Sequence, residues 1–115
     1  NTIILIAGNH DIIDKKHYLK LDIDVVEFLE IDDFLLTHHP TLKEGFFNFS
    51  GHIHPGIMLR GFGAQSLKLP CFFQKENQMI LAAFGEFTGK HLLKPQQNDI
   101  VYAIANDEVI RINLN

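Results

Sequence analysis

Cysteine is nearly missing from this chain: of 115 residues only Cys71 is one, so no internal disulfide can form. Within the apolar stretch Leu69-Pro70-Cys71-Phe72-Phe73 it reads as a small core residue rather than a nucleophile. Basic charge is also scarce. Ten Lys and Arg stand against fourteen Asp and Glu, a formal net charge of −4, which argues against a broad basic surface that tracks a phosphate backbone. A local positive metal centre could still attract phosphate esters. No apolar run approaches the roughly 18–20 residues needed to cross a bilayer. The first residues show no series of basic region, apolar core and small-residue cleavage site. These absences lead to the expectation of a soluble, non-secreted, cytoplasmic chain with no membrane partner, forming one domain at most. Tryptophan is absent, and ten Phe supply the obvious core material. Histidine is plentiful instead: there are seven, and four of them fall in two tight clusters, the arrangement that a metal site requires.

The pattern along the chain is rich in strands. Thr2 to Ala7 is a continuous apolar, β-branched run, which predicts a strand covered on both faces. It stops at Gly8, so Asn9-His10-Asp11 falls on a loop. Ile12 to Leu21 reads as a short helix or an irregular crossing segment. Asp24 to Ile31 and Asp33 to Thr37 read as two strands around a turn near Asp32-Asp33, the second delivering His38-His39-Pro40. Phe46 to Ser50 delivers Gly51-His52-Ile53-His54-Pro55 in the same way. Ile57 to Arg60 is a short strand, and Gln65 to Gln74 a longer one interrupted at Pro70. Met79 to Phe84 is its hairpin partner. Gly85 to Gly89 forms a loop in which Glu86 is a turn residue. Asp99 to Ala105 and Glu108 to Leu114 flank the hairpin signal Asn106-Asp107. His17 and His91 have no neighbours of their kind and read as solvent-facing.

Three strand-end loops therefore carry Asn9, His10, Asp11, His38, His39, His52 and His54. Polar groups from sequence-distant strands can share a site where the strand ends converge. Imidazole nitrogens with an Asn amide oxygen and no thiolate suit divalent zinc, manganese or iron, and point to catalysis rather than to a structural zinc knuckle. His52 and His54 lie two apart. In an extended segment both would point the same way, and in a turn they could splay toward two ions. Two metals roughly 3.5 to 4 Å apart can clamp a phosphoryl group. A His beside them, paired with an acid such as Asp11, could protonate a leaving alkoxide; His10 fits that role.

"GNHD", then "THHP", then "GHIHP", in that order, resemble the last three motifs of the calcineurin-like metallophosphoesterases. The strings "GHIHPGIMLRGFGAQSLKLPCFF" and "MILAAFGEFTG" resemble more closely the bacterial DNA ligase-associated metallophosphoesterases, DNA-damage-response endonucleases or phosphodiesterases encoded beside a ligase and a helicase. The resemblance runs from Ile3 to about Ala105. It implies an α+β fold, with this chain as the mostly β, C-terminal part of a four-layer α/β/β/α sandwich. It implies two divalent metal ions (Mn, Fe or Zn) and hydrolysis of a phosphodiester in nucleic acid by a metal-bound hydroxide, in DNA repair. Ligase and helicase become the implied pathway partners.

Residue by residue, the resemblance makes Asn9 a ligand of the second metal and His10 the transition-state-stabilising or acid His, oriented by Asp11. His38 matches the ligand of the H-x-P element, with His39 the alternative if the register differs by one. His52 would hold the second metal and His54 the first. Arg60 is a candidate contact for substrate phosphate only because it is a basic residue nearby in sequence.

The family's D-x-H and G-D motifs, which supply the remaining ligands, do not precede Asn9. The implied assignment is that residues 1–115 are the C-terminal portion of one metallophosphoesterase domain, inactive by itself and without a stable dinuclear centre. Strand edges left unpaired would favour self-association, swapping or aggregation, and a monodisperse monomer would count against that expectation. Two other readings stand beside this one: a small-molecule phosphodiesterase or phosphomonoesterase, and a non-catalytic binding scaffold of the same fold.

Overall fold

The computed structural model describes residues 2–8, 15–61, 63, 65–85 and 90–113. Strand β1 (Ile3–Ile6) runs parallel to β2 (Ile23–Val26), with Ile3 opposite Ile23 and Ile6 opposite Val26. Parallel partners need a crossover, and helix α1 (Lys15–Lys20) lies in it. The ladder runs one step past the strand, where the Ala7 amide donates to the Val26 carbonyl.

The larger sheet begins with the antiparallel hairpin of β3 (Phe28–Ile31) and β4 (Phe34–Thr37). Asp32 takes the left-handed backbone conformation of its turn at φ 52°, which a short acidic side chain tolerates. Strand β5 (Phe47–Ser50) then pairs in parallel with β4, and on its other edge with β8 (Gln78–Ile80). Strand β7 (Ser66–Lys75) is antiparallel to β8, to β6 (Pro55–Arg60) and to β10 (Ile100–Ala105). Strand β11 (Glu108–Ile112) closes one edge through the Asn106-Asp107 turn, while β9 (His91–Leu92) runs parallel to β6.

Four expectations change, the first being that the strand expected from Met79 to Phe84 is only Gln78–Ile80. The single strand expected from Asp24 to Ile31 is two, broken at Glu27: β2 joins β1 and β3 joins the larger sheet. An unbroken apolar run cannot show that its halves serve different sheets. Pro70 does not interrupt β7. It lies opposite Gly56 as the last residue of β7 paired with β6, and from Cys71 onward the pairing passes to β10. The missing N–H of Pro70 therefore falls where the strand changes partners. Finally, β1 is not covered on both faces, since Ile3 and Ile4 are 56% and 42% exposed.

The core sits where β6, β7, β8 and β10 meet, and consists of Ile57, Cys71, Phe73, Ile80, Val101 and Ala103. Among the described residues, no helix is long and apolar enough to cross a membrane.

Burial pushes the Cys71 thiol up from 9.0 to about 11. Between these values the unfolded chain gives up the thiol proton while the folded chain keeps it, so stability is intact below pH 9 and falls as pH rises toward 11. Native protein at pH 8 should leave Cys71 unlabelled by a disulfide reagent, with rapid stoichiometric labelling appearing only in denaturant. Fast labelling of the native chain would contradict the burial.

Candidate metal centre

The site is built by the parallel register of β4 and β5. Thr37 is opposite Ser50, so the residues that leave the two strands leave the same end of the sheet side by side. Those residues are His38-His39 on one strand and Gly51-His52 on the other. The Gly51 amide donates to the His38 carbonyl at 3.0 Å, which carries the pairing one step into the loops.

His38 Nε2 and His52 Nδ1 approach to 3.2 Å. The His39 ring lies 4.1 Å from the His52 ring and 4.9 Å from that of His38, centroid to centroid. One nitrogen from each of the three falls within 4.8 Å of the others. At metal–nitrogen bonds of about 2.0–2.1 Å, two imidazoles on one ion stand about 2.9–3.4 Å apart for octahedral to tetrahedral angles. The His38–His52 separation lies in that range, so the donor set fits a divalent ion in both chemistry and spacing. His38 and His52 are half-buried and His39 is exposed.

The end of β1 reaches the same place. A Cβ added at Gly8 would lie 2.5 Å from His38 Cε1 and 2.6 Å from Nδ1, so glycine is what lets the backbone pass against the ring. Asn9, His10 and Asp11 follow directly and lie outside the described residues.

Backbone strain marks the His52–His54 segment. His52 and His54 take φ values of 69° and 55°, and the Ile53 amide donates to the Gly51 carbonyl at 2.8 Å, closing a three-residue turn around His52. Such conformations in residues with a Cβ cost on the order of 1–3 kcal/mol and concentrate at functional sites. His54 is not one of the three clustered histidines. Its carbonyl accepts from the His91 amide, and the residue lines a separate cavity beside Pro55. Arg60 ends β6, about 17 Å along the strand from Pro55. The residue lines a cavity at the β6–β7 turn, so a contact with phosphate at the histidines would require a long substrate.

Asn48 escaped the sequence reading. It is 1% exposed in β5, and its amide holds the His38-His39 loop at both ends. Nδ2 donates to the Leu35 carbonyl and to Thr37 Oγ1, each at 2.9 Å, and Oδ1 accepts from the Thr41 amide at 2.9 Å. The Thr37 and Thr41 hydroxyls in turn both donate to the His39 carbonyl. One amide between two Phe in Phe47-Asn48-Phe49 was the available signal, since a buried side-chain amide must find partners. Beside this loop lies an open cavity of about 410 Å³ reached by His38, His39 and Thr37, with Glu27, Glu30 and Lys43 on its wall. Lys43 and Glu30 form an exposed ion pair there.

Asn48→Ala should lower unfolding free energy by about 2–3 kcal/mol in urea, because it strands the Thr41 amide and the Leu35 carbonyl. It should also shift the imidazole resonances of His38 and His39, although Asn48 touches neither ring. Unchanged stability with unchanged resonances would contradict the network.

No family model matches the chain, and no curated protein matches it. Among solved structures, the chain is similar to the crystal structure of Pseudomonas putida nuclease MPE, with a TM-score of 0.77 and 34% sequence identity. The match covers 96% of this chain and 54% of that one, so the chain spans about half the length of the nuclease it matches. That likeness shows the mostly β fold with mixed sheets, and is consistent with a nuclease or metallophosphoesterase family.

Proposed function

We propose that this chain supplies part of the metal centre of a phosphodiesterase acting on nucleic acid. The observation that carries the reading is the meeting of three strand ends, those of β1, β4 and β5, at the His38–His52 pair. Likeness to a nuclease over nearly the whole chain supports it. Divalent metal, when bound, would activate water and offset charge on the phosphoryl oxygens. His38 and His52 would hold one ion and Asn9 would complete its set, with His39 the alternative to His38 if the register differs by one. His54 would serve a second ion. His10, oriented by Asp11, would give a proton to the leaving oxygen. Gly8 keeps the β1 loop against the His38 ring, and Asn48 fixes the loop that presents His38.

The same reading includes the C-terminal place of these residues in a layered metallophosphoesterase sandwich. It also includes a role in DNA repair beside a ligase and a helicase. The D-x-H and G-D ligands are not among these 115 residues, so the chain by itself would be inactive.

The test is cleavage of circular single-stranded DNA by the natural polypeptide with added Mn²⁺. The natural polypeptide should nick the circle only with metal, and His52→Ala should slow it at least about 100-fold. Cleavage that survives chelation or His52→Ala would refute the reading, as would hydrolysis confined to phosphomonoesters.

A further inference from the structure

Strand β5 carries two buried polar side chains, Asn48 and Ser50, each 1% exposed. They lie two residues apart and share one face of the sheet. Thr37 is on that face as well, since it accepts from the Asn48 amide and stands opposite Ser50 in the register. Asn48 is fully used, with hydrogen bonds to Leu35, Thr37 and Thr41. The Ser50 hydroxyl has no hydrogen-bond partner among the described residues, although the Ser50 carbonyl accepts from the Leu81 amide at 2.7 Å. Across β8 stands Ile80 of the apolar core, whose side chain has no polar atom to offer. A buried hydroxyl without a partner costs the fold free energy that Ala at this place would save. Gly51 and His52 follow Ser50, and His38 follows Thr37, so the orphan lies at the two strand ends that present the paired imidazoles.

We propose that Ser50 is a positioning residue of the metal centre, its hydroxyl hydrogen-bonded to a water that enters with the ion held by His38 and His52. This rests on the metal-centre reading and deepens it, by adding a residue that braces the ion without touching it. Two imidazoles leave a divalent ion with positions for oxygen ligands, water among them. A hydroxyl can donate to such a water or accept from it, so Ser50 suits either orientation. Groups that hold a metal's own ligands from behind set much of its affinity. The hydroxyl is then an orphan only while the centre is empty, which gives a reason for Ser where Ala would fold at less cost. A partner side chain, or a water buried independently of metal, would reward the hydroxyl in the metal-free protein too. The ion's water would not, and the cases part in chelator.

The probe is Co²⁺ alone, titrated calorimetrically into the metal-free natural polypeptide that contains these residues, with thermal unfolding followed in EDTA and at one fixed Co²⁺ concentration. The relevant site is the Co²⁺ binding event that His52→Ala abolishes. Ser50→Ala should melt in EDTA at the native temperature or above it, because it removes an unpaired hydroxyl. Its Co²⁺ affinity at that site should fall at least about 10-fold, and the rise in Tm that Co²⁺ gives should shrink. Ser50→Thr and Ser50→Val have nearly the same shape and differ in the hydroxyl, so crowding by the added methyl lowers both Tm values in EDTA alike. The Thr variant should still bind Co²⁺ at least about 10-fold more tightly than the Val variant. A Tm in EDTA that falls in Ser50→Ala, or is lower for Val than for Thr, would reveal a partner present without metal and overturn the proposal. Co²⁺ affinity unchanged in Ser50→Ala would overturn it as well. The two readings fail separately: if His52→Ala leaves Co²⁺ binding intact, the metal centre falls and Ser50 with it, whereas loss in His52→Ala without weakening in Ser50→Ala removes the Ser50 role alone.

Discussion

The parallel pairing of β4 with β5 is the constraint on which the site depends. Parallel strands end at the same edge of a sheet, so any residues that follow them are neighbours however far apart they are in sequence. Here the register puts Thr37 opposite Ser50 and hands the chain directly to His38 and His52. A slip of one residue would turn each side chain to the other face and separate the two rings. Packing of β5 against β8 on its far edge, and of β8 on β7, ties that register to the buried core.

Holding imidazoles this close carries a cost. The chain meets it with backbone conformations that residues bearing a Cβ avoid, at His52 and His54, and with a buried amide that uses three hydrogen bonds to brace one loop. Each makes sense if the loops must present nitrogen atoms at a set separation, because a rigid sheet edge can carry strained turns that a mobile loop would relax.

The sequence displayed the strand-end clusters clearly, since GNHD, THHP and GHIHP each follow an apolar run that stops at a turn. It also displayed the hairpins at Asp32-Asp33 and Asn106-Asp107, where local turn chemistry decides the outcome. What it could not display depends on pairing between distant segments. The break at Glu27 that sends β2 and β3 to different sheets is one case, and the exchange of partners at Pro70 another. The two-residue strand β9 has no periodicity to detect, and forms through backbone bonds to His54 and Gly56. The dipeptide His38-His39 left the register of the ligand open by one residue. The structure brings both rings to His52, with His38 nearest to hydrogen-bonding distance. Asn48 was hidden because its function is to satisfy a neighbouring loop rather than to meet a ligand.

The central claim is that His38 and His52 bind one metal ion together. X-ray absorption on the Co²⁺-loaded protein measures this directly, because imidazole rings add a characteristic outer-shell scattering whose amplitude counts them. The account predicts at least two imidazoles per bound ion, and the loss of one in His38→Ala or in His52→Ala. Cobalt surrounded by oxygen alone, or an imidazole count that neither substitution changes, would contradict it.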